Sequence, residues 1–319
     1  MPKLNPSYDT DTINLYSDCE RIIDGATKQT TSGIDVVFPD ANAHYGAFWV
    51  RDYAMSLDSD YDFTKEEVLA CYNYIKATVP TSGNKAYWVP DHIMLNGGPV
   101  WKAGNMVPDP NEDGIGTRAS LDGAGFLIKI AKKYLSLNWD INFIQSEIVF
   151  LKNAIESIIR ENENLVRTET YETTFGFEDG VVHYGNIAYN SIQVYESLLL
   201  LKEWAQQTNI NNLDFSRIDK VKTEFNEKLV FDIGKKTIKV NNHYIDANLA
   251  YVAPCDQNNR GRFDVWITSY AINSGILTTE NKIKCCYALL YYKDSYMKYG
   301  MAKHVPNEFY QDYDNGIMW

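Results

Sequence analysis

The chain has 319 residues, 45% of them hydrophobic, and a formal net charge of −12. That length supports a sizeable core, and the acidic balance without a basic stripe argues against a nucleic-acid partner. No apolar run nears the ~18 residues of a membrane span, and the opening "MPKLNPSYDTDTIN" lacks the apolar stretch of a secretory leader, so a cytoplasmic address is expected. Cys19, Cys71, Cys255, Cys285 and Cys286 are odd in number and scattered, which reads as reduced core thiols. The histidines, at 44, 92, 183, 243 and 304, form no metal-type cluster with them, and no metal or cofactor is expected.

In chain order, the first unusual stretch is "HYGAFWVRDYAMSLD", residues 44–58. There Arg51 and Asp52 interrupt an apolar run. If Phe48, Trp49, Ala54 and Met55 are buried, the two charges lie against a wall and need a partner or a polar ligand. Further on, Thr64 with Glu67 in "FTKEEVLACYNYI" reads as a capping box that starts a helix. Leu121, Ala124, Leu127, Ile128, Ala131, Tyr134 and Leu135 follow the helical i, i+3, i+4 template, which predicts a helix over 118–135. The same spacing predicts helices over 141–160, 214–229 and 279–292. "NIAYNSIQVYESLLLLKEW" is apolar on nearly all sides and predicts a helix over 185–205 that is buried all round. "KKTIKVNNHYIDANLAYV" reads as a short hairpin turning at Asn241-Asn242.

Long loops are expected at about 29–48, 79–117, 161–185, 232–262 and 294–319. Loops of that length in a compact domain tend to be functional. Several aromatics fall in or beside stretches that otherwise read as loops, among them Trp49, Trp88, Trp101, Phe175, Phe177 and Tyr184; their faces suit ligands with apolar C–H surfaces and hydroxyl rims. Helix pairs alternating with long loops predict either a solenoid or a closed toroid. The contrast between the buried 185–205 segment and its amphipathic neighbours favours the toroid. No linker is evident, so residues 1–319 are expected to form one domain.

Several motifs then fall in a familiar order. "FWVRDYAM", "VPDHIMLNGGPVWKAGN", "SLDGAGFLIKIAKKYL", "FGFEDGVVHYGNIAYNSIQVYESLLLL", "WITSYAINSGIL", "AKHVP" and "YDNGIMW" together resemble the six-hairpin glycosidases, the group of glucoamylases, trehalases and glycogen-debranching glucosidases. The resemblance spans about residues 40–319. It implies an all-α (α/α)6-type toroid of helical hairpins, incomplete at the C-terminus, with a small β-hairpin insertion. It also implies a glycoside hydrolase, inverting in the family's manner, that acts on a glucoside or related α-linked sugar.

For the site, the resemblance implies that Arg51 and Asp52 hold sugar hydroxyls, with Trp49 walling the pocket. A guanidinium fork donates and a carboxylate accepts, so the pair reads two neighbouring hydroxyls. A structural Arg–carboxylate pair at a helix start remains the plain alternative. Asp91 and Asp122 join the substrate-binding candidates, although each also suits a turn or helix cap. Trp88 and His304 complete that set. The general acid is placed at Asp179 in "GFEDGV", with Glu178 as runner-up and Glu169 and Glu172 behind them. A carboxyl between Phe177 and Val181 would titrate high, as an acid catalyst requires. The family's base comes from a late hairpin, expected beyond Trp319; Asp312 and Asp314 are the nearest carboxylates. Without that base, the other reading is a non-catalytic carbohydrate-binding remnant.

Overall fold

A computed structural model describes residues 17–18, 21–22, 24–38, 46–59, 62–101, 120–169, 183–298 and 301–312. The chain divides into two compact units, Met1–Ser157 and Ile158–Trp319.

In the first unit, β1 (Thr27–Gln29) pairs antiparallel with β2 (Asp35–Val37). A three-stranded antiparallel sheet follows, in the order β3 (Ala47–Trp49), β4 (His92–Met94), β5 (Pro99–Val100). Trp49 lies opposite His92, and His92 opposite Val100. Strand β3 runs directly into α1 (Val50–Ser56). Helix α2 (Lys65–Thr78) starts at the expected capping box: Glu67 N–H donates to Thr64 Oγ1 at 3.2 Å, and Thr64 N–H donates to the Glu67 carboxylate at 2.7 Å. Helices α3 (Gly123–Leu137) and α4 (Ile141–Ser157) close the unit. Their inward faces bury Leu127, Ile130, Ala131, Ile148 and Leu151 with Phe48, Tyr53 and Tyr72. Glu147 on α4 accepts from Tyr72 at 2.8 Å and Lys76 at 2.6 Å, which ties α4 to α2.

In the second unit, β6 (Arg167–Thr168) pairs with β7 (Gly185–Asn186), which leads into α5 (Ala188–Gln207). Every residue from Ala188 to Tyr195 is buried, in keeping with the apolar character of that stretch on all sides. Helix α6 (Arg217–Lys228) is followed by a long hairpin, β8 (Val230–Val240) and β9 (His243–Val252). Asn241 and Asn242 take φ of 48° and 66° between paired Val240 and His243. Two left-handed residues in a two-residue turn match the twist of the strands, and Asn tolerates them. Helices α7 (Val265–Ser274), α8 (Thr279–Tyr291) and α9 (Lys293–Tyr296) follow, then the ladder β10 (Met297–Lys298) with β11 (Met301–Ala302), and a 3-10 helix, Asn307–Asp312. Leu249, Tyr251, Phe263, Ala288 and Tyr292 form one buried cluster in this unit.

The all-α (α/α)6 toroid is therefore corrected. Among the described residues, five small antiparallel sheets accompany the helices, and strands make up 18%. The expected helices are present, over 123–137, 141–157, 188–207, 217–228 and 279–291. The difference lies between them. Each stretch read as a long loop carries paired strands, and the stretch read as a short hairpin is 11 and 10 residues long. Cross-strand pairing satisfies the backbone of these connections, where a structureless loop would leave it to water. Among the described residues, no helix is long and apolar enough to cross a membrane.

Candidate functional site

The site in the first unit is built on the junction of β3 and α1. The N–H of Val50 donates to Asp91 O at 3.1 Å, and the N–H of Asp91 donates to Val100 O at 2.9 Å. These bonds hold the start of α1 against the segment before β4. Helix α3 arrives just as closely: a Cβ on Gly123 would lie 3.1 Å from Val89 O, so the absence of a side chain lets the helix start approach that backbone. Three stretches distant in sequence thus meet, and they carry Arg51, Asp91 and Asp122.

Arg51 is the centre. It is 5% exposed. Its Nη1 lies 3.1 Å from Asp122 Oδ2 and 3.5 Å from Asp91 Oδ1, while Nε is 4.0 Å from Asp52 Oδ2. Asp122 also accepts from Ser120 Oγ at 2.8 Å. The second oxygen of Asp91 lies 3.0 Å from His92 Nδ1. The His92 ring stacks on Trp49 with centroids 4.2 Å apart. His92 Nε2 is buried and has no hydrogen-bond partner among the described residues. An Asp-bound Nδ1–H leaves Nε2 with its lone pair, an acceptor.

Among the described residues, the Arg51 guanidinium faces three carboxylates. Burial pushes the Asp91 carboxyl above its ordinary value, against the lowering effects of the His92 hydrogen bond and Arg51. Asp52 is raised for the same first reason, burial, opposed by Arg51 and reinforced by Asp91 and Asp122. Its side chain is 33% exposed, whereas those of Asp91 and Asp122 are at most 2% exposed. Asp52 is therefore the most exposed of the three carboxylates around Arg51.

The structure brings together Trp49, Arg51, Asp52, Asp91 and Asp122 of the sequence candidates. Trp88 is half-buried, and its carbonyl accepts from Trp101 Nε1 at 3.3 Å; its described contacts do not reach the Arg51 cluster. His304 belongs to the second unit, where its Nε2 hydrogen-bonds Asp264 Oδ2. Glu169 is exposed, 3.8 Å from Arg167 and 4.0 Å from Arg160. Glu178, Asp179, Glu172 and Asp314 lie outside the described residues. His92 and Ser120 are functional candidates that the sequence reading missed. The only signal for His92 was its place beside Asp91 in "VPDHIM". Among the described residues no group of His, Cys, Asp and Glu is arranged to hold a metal ion.

Set against known proteins, the chain matches no protein-family model and no curated protein.

Proposed function

We propose that the protein is a glycoside hydrolase acting on a glucoside or related α-linked sugar, and that the Arg51 cluster reads the hydroxyls of one sugar ring. The observation that carries this reading is the convergence of Arg51, Asp52, Asp91 and Asp122 on one another, with Asp52 at the open edge. A buried ion network that ends in one accessible carboxylate presents an acceptor of fixed position, which suits a polyhydroxylated neutral ligand. The order of the quoted motifs supports the same activity, without the toroid. The motif order, rather than any described geometry, carries Asp179 as the general acid, which protonates the leaving oxygen while water attacks the anomeric carbon and passes its proton to a second carboxylate. The thiols of Cys71, Cys255, Cys285 and Cys286 are free, which supports a cytoplasmic place of action.

The test is turnover of maltotriose and of 4-nitrophenyl α-glucoside by the wild-type chain and Asp179→Asn. The variant should lose maltotriose hydrolysis and keep part of the aryl glycoside turnover, because an activated leaving group needs less protonation. Equal loss on both substrates counts against Asp179 as the acid. The second reading, binding without hydrolysis, has its own support: Asp91 and Asp122 are already committed to Arg51, His92 and Ser120. Sugar binding with no turnover of either substrate would establish it.

A further inference from the structure

The reading above gives His92 no role. The residue is fully buried. Its ring lies on the Trp49 indole, with centroids 4.2 Å apart and planes 25° apart. Its backbone is fixed in β4, opposite Trp49 on one side and Val100 on the other. Nδ1 meets Asp91 Oδ2 at 3.0 Å, and Asp91 in turn lies 3.5 Å from Arg51 Nη1 through Oδ1. Strand, indole and carboxylate thus hold the imidazole in place. They also select its tautomer: a carboxylate only accepts, so Nδ1 carries the hydrogen and Nε2 presents a lone pair.

That lone pair is the feature without an account. Nε2 is buried and has no hydrogen-bond partner among the described residues. Native proteins rarely leave such an atom, because a buried acceptor gives up its water and gains no donor in return. Packing alone does not call for it: a phenyl ring would stack on Trp49 without an orphaned acceptor. Asp91 does not call for it either, since Nδ1 serves that carboxylate and Arg51 stands on its other oxygen. What the imidazole adds is a rigid acceptor on the side of the ring away from the group that holds it.

We propose that His92 is a specificity-determining residue of the Arg51 site, and that its Nε2 accepts a hydrogen bond from one hydroxyl of the bound sugar. Asp91 and Asp122 already accept from Arg51, His92 and Ser120, whereas Nε2 is an acceptor with its capacity intact. A desolvated acceptor discriminates sharply. A sugar without the matching hydroxyl leaves Nε2 unpaired, and a site built around a buried polar group rejects such an analogue far more strongly than an apolar wall does. Nε2 is covered in this structure, so the contact forms as the side chains over it give way to the sugar, and a signal from Nε2 itself is the direct check. The inference rests on the carbohydrate reading given above and adds the residue that decides which hydroxyl is read.

The experiment is a titration of the full chain, labelled with nitrogen-15 at histidine, with methyl α-glucoside and its monodeoxy forms, followed by NMR. In the wild type one monodeoxy form should bind about tenfold more weakly than the parent, the scale of one buried acceptor left unpaired. The Nε2 resonance should show an unprotonated nitrogen and should move when the parent sugar binds. His92→Asn keeps an N–H donor for Asp91 and lacks Nε2. It should bind the parent about tenfold more weakly and should no longer distinguish that one monodeoxy form, while the penalties for the others stay as they were. A purely structural His92 would instead weaken all the sugars alike. Unchanged penalties for every monodeoxy form in folded His92→Asn overturn the inference and leave the Arg51 reading standing. So does an Nε2 resonance that ignores saturating sugar or reports a protonated nitrogen, and this readout on the wild type decides the matter if the variant does not fold. If the wild-type chain binds none of the sugars, the carbohydrate reading fails and this inference with it.

Discussion

The two units place similar residues at a helix start and use them in opposite ways. In "FWVRDYAM", Arg51 and Asp52 lie in the first turn of α1, and the N-cap position is Trp49, which makes no side-chain cap bond. The helix does not consume the charges, so they turn to other stretches and gather Asp91 and Asp122 around the guanidinium. In "GRFDVW", the Asp is the N-cap itself. One oxygen of Asp264 is spent on the helix and the other holds His304. The first arrangement buries its charge and shows solvent one carboxylate. The second buries the carboxylate and shows solvent an indole and an imidazole. Asp264 stands at the N-cap position and Asp52 three positions past it, and that offset separates a carboxylate spent on its helix from one left to an ion cluster.

The largest effect that would break this comparison is expected at Arg51. Arg51→Ala leaves Asp91 and Asp122 buried without their cation and should cost about 3–5 kcal/mol of unfolding free energy, the range for breaking a buried ion network from one side. Urea denaturation of the two proteins measures it. A loss below about 1 kcal/mol would mean that the network is paired well enough without Arg51, and that the guanidinium does not hold the first cluster together.

The corresponding change in the second unit is smaller. Asp264→Ala removes a cap and the partner of His304, a group already part-exposed, and should cost about 1–2 kcal/mol. Asp264→Asn should recover the cap portion, because its side-chain oxygen accepts the same Ile267 N–H. If Asn were as destabilising as Ala, the helix cap would not be what Asp264 supplies, and the contrast between the two helix starts would fall.

How far these sites were legible follows from the same geometry. Helical period exposes itself along one segment, so the helices over 141–157, 188–207 and 279–291 could be read directly. Arg51 and Asp52 were visible because they break an apolar run. Asp91 and Asp122 entered through motif order, and only the close approach at Gly123 and Val89 shows why they meet Arg51. His92 was hidden because neighbours on a strand point to opposite faces; Asp91 precedes β4, and the bend there turns its carboxylate back onto the His92 ring. Asp264 and Trp266 were hidden for a different reason. Their partner His304 is 40 residues away from Asp264, and no spacing rule links an N-cap to a loop that far along the chain. The β8–β9 hairpin was underestimated because strand Val230–Val240 follows α6 almost without a break and leaves Lys235 and Lys239 exposed, where they read as loop.

The smallest effect sharpens the comparison by pH. Asp52 titrates above its ordinary value of 3.8 in the folded chain, chiefly through burial. A carboxyl raised in the folded state binds more protons there than when unfolded, so its contribution to stability falls as pH rises from near that ordinary value through the raised one, and is level beyond. Asp52→Asn removes this titration without removing the amide-sized side chain. The gain in unfolding free energy from the substitution should therefore be larger at pH 7 than at pH 4. Other carboxylates, such as Asp140 and Asp246, are lowered in the folded chain and tilt the whole-protein profile the opposite way. The difference between variant and wild type cancels them, since they are common to both. Urea titrations of both proteins at the two pH values supply that difference. A difference that does not change with pH would show that the Arg51 cation outweighs burial at Asp52, and that the first cluster offers a ligand a permanently charged carboxylate rather than one poised to take a proton.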